Sequence, residues 1–99
     1  MGESKMKKKN EVKKMTVVFD VWCVKPISPS IKGKIRKNDL VDNLEERSDT
    51  RLRLTNCQCM FSANEDPLEV GFKLAEEMEK MLHSISKALT VKGVCVYAP

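Results

Sequence analysis

A single carboxylate, Asp20, stands in a strand-like stretch between Val18 and Trp22. Beside it, four cysteines and one histidine are the side chains of this 99-residue chain best suited to chemistry. Residues 15–24 alternate, so Met15, Val17, Phe19, Val21 and Cys23 share one wholly apolar face. Thr16, Val18, Asp20, Trp22 and Val24 share the other, which is either half-covered or an interface. A carboxylate in that setting pairs with a nearby cation, sits at a solvated edge or acts on a ligand. No complete acid/base pair, Gly-rich phosphate loop or nucleophile motif accompanies it. Cys23, Cys57, Cys59 and Cys95 each lie in a strand-like stretch and are expected to be reduced core thiols. Cys57 and Cys59 would project to one strand face and could begin a thiolate site. The two Cys-x-x-Cys pairs of a zinc site are absent, so no metal site is assigned to the thiols. His83 falls outside the apolar stripe of its helix and is expected in solvent.

Charge is the second signal. The first thirty-seven residues hold eleven basic and three acidic side chains, and the remaining sixty-two hold seven and eleven. Residues 1–14, with six lysines and no period that could bury a face, are expected to form a disordered arm. Lys5, Lys7, Lys8, Lys9, Lys13 and Lys14 would raise encounter rates with phosphate backbones. Lys32, Lys34, Arg36 and Lys37 form a second, fixed basic patch. No apolar run approaches the roughly 18 residues of a membrane span, and the charged start lacks the apolar core of a secretory signal. The expectation is a chain in a reducing intracellular compartment.

The elements that position these residues begin with the strand at Met15. Lys25 to Ser30 contains Pro26 and Pro29 and must break it. Ser28-Pro29 marks a turn or a phosphorylation site. An irregular helix follows, from about Ser30 or from an Asn38 or Asp39 cap, to Arg47. In residues 51–62 Leu52 and Leu54 fall on even positions, whereas Cys57, Cys59 and Phe61 fall on odd ones. This requires a bulge near Thr55-Asn56 or two strands joined by a bend. Asp66-Pro67-Leu68-Glu69 starts a long helix with Asp66 as cap, Pro67 at the first position and Glu69 placed for a capping box. Its stripe is Leu68, Gly71, Ala75, Met78, Leu82, Ile85 and Leu89. Lys92-Gly93 ends that region, and Val94 to Tyr97 form a last strand. With the bent segment counted as two strands, the order is βαββαβ. This is an α+β, ferredoxin-like domain over residues 15–99, with both helices on one face of an antiparallel sheet.

Three pieces resemble the virulence-associated protein D family and the related ferredoxin-like subunits of CRISPR adaptation complexes. They are Val17 to Val21, Cys59 to Asp66, and Val94 to Tyr97. In those families the first strand ends in an aspartate facing its symmetry mate, and some members are ribonucleases that need it. The resemblance implies that role for Asp20, with Mg²⁺ held between two copies to polarise a phosphate and activate water. The family's polar central-strand residues align here with Cys57 and Cys59, and the lysine-rich extension is not typical of it. The expected function is therefore a small homodimer that binds nucleic acid, RNA ahead of DNA, through its basic segments. Val18 and Trp22 are its expected interface, and Mg²⁺-dependent ribonuclease action at Asp20 is its enzymatic version. The rival is a non-enzymatic protein-interaction adaptor, such as a regulatory or viral accessory subunit.

Overall fold

The computed structural model describes residues 11–98. Its elements run β1 (Val12–Cys23), α1 (Pro29–Arg36), β2 (Asn43–Ser48), β3 (Arg51–Ser62), α2 (Pro67–Ile85) and β4 (Leu89–Tyr97). The four strands form one antiparallel sheet in the order β2-β3-β1-β4, which is the ferredoxin-like arrangement. The odd residues of β1 face the helices. Met15, Val17, Phe19 and Val21 are buried there with Leu52, Leu54, Phe61, Met78, Leu82 and Leu89. The even residues of β1 line the opposite, open face. No helix among the described residues is long and apolar enough to cross a membrane.

The route to this order differs from the expected one in several places. β1 starts at Val12, so Lys13 and Lys14 belong to the sheet, paired with Phe61 and Met60, and not to an arm. The first helix spans only Pro29–Arg36, with Ser28 Oγ accepting from the Ile31 N–H as its N-cap. Residues 43–48, expected at the end of that helix, are instead the edge strand β2. Residues 51–62 are a single strand, β3, which forms a hairpin with β2 through Asp49-Thr50. α2 begins on its Asp66 cap as expected, with the Asp66 carboxylate accepting from Leu68 N–H at 3.0 Å. Glu69 does not close a capping box; the neighbouring Glu65 instead accepts from Ser62 N–H. α2 stops at Ile85, and Leu89 is the buried first residue of β4. His83 is exposed, as expected, and its Nε2 lies 2.9 Å from the Leu89 carbonyl oxygen, tying the helix end to the strand start.

The bulge in β3 is real and lies at Cys57-Gln58, where the partners of β1 jump from Cys59 opposite Met15 to Asn56 opposite Val17. Side chains satisfy its freed amides: Asn56 Oδ1 accepts from Gln58 N–H at 2.8 Å, and Asp42 Oδ2 accepts from Cys57 N–H. Asn56 Nδ2 also donates to the Leu40 carbonyl at 2.9 Å, and the residue is 4% exposed. Asn56→Ala should therefore lower stability by about 1–3 kcal/mol, because it removes the partner of the half-buried Leu40 carbonyl and of a bulge amide. A urea midpoint equal to that of the wild type would contradict this.

Lys32 and Arg36 of α1 reach Glu46 of β2 and tie the helix to the sheet edge. The Lys32 hydrogen bond and charge, more than the charge of Arg36, hold the Glu46 carboxyl below its ordinary 4.5. A depressed folded value makes this tie fully present above the unfolded carboxylate value, and it is lost as pH falls through the lower folded one. The α1–β2 corner should open to amide exchange as acidification takes the pH below that ordinary 4.5. Glu46→Gln should remove that pH dependence.

Candidate functional site

The open face is built from aligned rows. Asn43, Thr55, Val18 and Cys95 form one row, Glu45, Arg53, Asp20 and Gly93 the next, and Ser48, Arg51, Trp22 and Thr90 the third. The i, i+2 spacing of Arg51 and Arg53 puts both guanidinium groups on this face, while Leu52 and Leu54 enter the core. Two bulges add further cations. The register of β2 slips at Arg47 and that of β4 at Lys92, and each extra residue turns toward the same end of the face.

Trp22 is the centre of that end and is 41% exposed. The Arg51 guanidinium carbon lies 4.0 Å from the ring centroid and the Lys92 ammonium 6.0 Å from it. A cleft of about 220 Å³ on one side of the ring is lined by Asp20, Trp22, Arg47, Arg51, Leu52 and Arg53. Another, lined by Trp22, Cys23, Val24, Ala88, Thr90 and Lys92, opens on its other side. Arg53 Nε donates to Asp20 Oδ1 at 3.4 Å, and Arg47 donates to Glu45 at 3.2 Å. Among the described residues Arg51 and Lys92 have no carboxylate partner. The result is a half-exposed indole walled by cations, two of them unneutralised, which suits a planar anionic ligand.

The expected site residues are not brought together. Asp20, Val18 and Trp22 share the open face, and Asp20 is paired with an arginine. Lys32, Lys34, Arg36 and Lys37 lie on or just after α1, in the layer across the sheet, where Lys32 and Arg36 are engaged with Glu46. Lys34 and Lys37 are exposed there. Lys13 and Lys14 are exposed on β1, with Lys14 beside Thr16, Cys57 and Tyr97 at the far end of the open face. Lys5, Lys7, Lys8 and Lys9 lie outside the described residues. Arg47, Arg51, Arg53 and Lys92 are the members that sequence reasoning missed. The Arg-Leu-Arg-Leu alternation of residues 51–54 is the signal that could have found two of them.

The thiols also differ from expectation. All four are free, but Cys57 and Cys95 are exposed, and only Cys23 and Cys59 pack against the core. The bulge sends Cys57 to the open face and Cys59 toward the helices, so the two cannot chelate one ion. Partial burial, together with Glu65 and Glu77, pushes the Cys59 thiol above its ordinary value and keeps it protonated.

Mg²⁺ at Asp20 is not matched by the donor set of one chain. The carboxylate faces Arg53, and no group of three His, Cys, Asp or Glu side chains suited to a metal gathers among the described residues. No protein-family model, curated protein or solved structure matches the chain.

Proposed function

We propose that this protein binds single-stranded nucleic acid, RNA ahead of DNA, on the open face of its sheet. The observation that carries this reading is the convergence of Arg47, Arg51, Arg53 and Lys92 around the half-exposed Trp22. A base stacks on the indole, and the guanidinium groups take the flanking phosphates. Stacking on an aromatic side chain contributes about 1–3 kcal/mol per base and tolerates any sequence. The lysines at the start of the chain, with Lys34 and Lys37 across the sheet, add nonspecific attraction that speeds encounter.

Asp20 holds Arg53 in place in the free protein and is exchanged for phosphate on binding. Asp20→Asn separates this reading from the ribonuclease one. Binding without chemistry predicts that wild type leaves RNA intact with Mg²⁺ or Mn²⁺ present, and that the variant binds RNA as tightly or a few-fold tighter. Mg²⁺-dependent cleavage by wild type that the variant loses would instead make Asp20 catalytic, with a second copy supplying the missing carboxylate.

A face-to-face homodimer through Val18 and Trp22 is weighed down by charge. A twofold axis there would set Arg47, Arg51, Arg53 and Lys92 against or near their own copies. Protein capture on this face, the adaptor reading, is supported if an acidic peptide binds and single-stranded RNA does not.

A further inference from the structure

The sheet has two outer edges, and the chain treats them differently. β2 is six residues long, carries Glu45, Glu46 and Arg47, and is bulged at Arg47. Shortness, charge and a bulge are the devices that keep an edge from pairing. β4, at the other edge, is nine residues long, and its last five, Gly93-Val94-Cys95-Val96-Tyr97, are uncharged. Glu79 guards the start of this edge by accepting from Val91 N–H at 3.2 Å. Beyond the Lys92 bulge, the described backbone of β4 bonds only to β1.

Apolar groups flank this unguarded half. A methyl on Gly71 would come within 2.5 Å of Val96 Cγ2, so α2 lies close against β4 at that level. The close approach sets Phe72, 56% exposed, beside the open edge. Phe72 borders a groove with Ala75, Val91 and Val94. Tyr97, 62% exposed, flanks the edge on the other face of the sheet.

We propose that β4 pairs with β4 of a second copy, antiparallel about a twofold axis near Cys95, so that two four-stranded sheets become one of eight. An antiparallel strand is complementary to its own copy, so a closed dimer needs no second surface. The composition of the strand agrees with this axis. Residues 93–97 set no charge against its copy, and Phe72 lies near the level of the axis. Glu76 and Glu79 stand about one and two helical turns from Phe72, toward Val91, and are carried away from their own copies. This interface is independent of the nucleic-acid reading and leaves Trp22 and the arginines of both copies free.

Sedimentation equilibrium of the full chain, from micromolar to near-millimolar, tests it. The wild type is expected to dimerise, with amide exchange of residues 94–97 slowing as concentration rises. Phe72→Glu and Cys95→Lys change exposed side chains and should retain the native circular dichroism. Each should weaken the dimer about tenfold or more and abolish the concentration dependence of exchange. A wild type that stays monomeric throughout overturns the proposal. So does a dimer that survives both variants, or one that Trp22→Ala dissociates and Phe72→Glu does not.

Discussion

Replacing Arg51 and Arg53 together by glutamate should weaken single-stranded RNA binding about a hundredfold or more at moderate salt. The change removes two phosphate contacts and puts repulsion in their place. If each arginine neutralises one phosphate, the slope of log affinity against log salt should become shallower by about 1.4, from roughly 0.7 per contact on a single strand. Because Arg53→Glu sets a new carboxylate beside Asp20 and Glu45, Arg51→Gln with Arg53→Gln serves as the milder control; it should show the same slope change with a smaller loss. Lys34→Glu with Lys37→Glu, across the sheet, should cost much less. An equal loss from that pair would mean that charge alone, and not the open face, governs binding.

Phe19→Ala should be the most damaging single core change, at about 3–5 kcal/mol. Phe19 is fully buried, stands opposite Leu54 and Val94 on the two neighbouring strands, and faces the helices from the central strand β1. A chain of this length has about 5–15 kcal/mol in total. The variant should therefore be partly unfolded at ordinary temperature or lose a large part of its urea midpoint with an unchanged slope. A midpoint close to that of the wild type would mean that the core can collapse around the missing ring.

The alternation of Met15 to Cys23 made β1 and the open face legible, because one face is entirely apolar. Asp66-Pro67 marked the start of α2 for an equally local reason, a capping side chain followed by a residue that suits the first helical turn. β2 was hidden. Leu44 is the only large apolar residue between Asn43 and Ser48, and its charged neighbours Glu45, Glu46 and Arg47 read as a helix surface. The end of α2 was misplaced because Leu89 continues the spacing of Leu82 and Ile85, although the chain has already turned at Ser86 and re-enters the core as a strand. The site itself depended on one-residue slips at Arg47 and Lys92, and such slips leave no trace in hydrophobic periodicity. Expectation therefore falls on the dense lysines of α1, while the cations around Trp22 are spread over three strands, one on β2, two on β3 and one on β4.

Trp22 is the only tryptophan, so its fluorescence reports from the proposed site without a label. Titration of the purified full chain with a short single-stranded RNA, repeated over a range of salt, reads base stacking and phosphate contacts in one experiment. A base stacked on Trp22 between arginines predicts saturable quenching of Trp22 emission, an affinity that falls steeply with salt, and loss of both effects in the Arg51 and Arg53 variants. RNA binding that leaves Trp22 emission unchanged, or no binding at low salt, would contradict it.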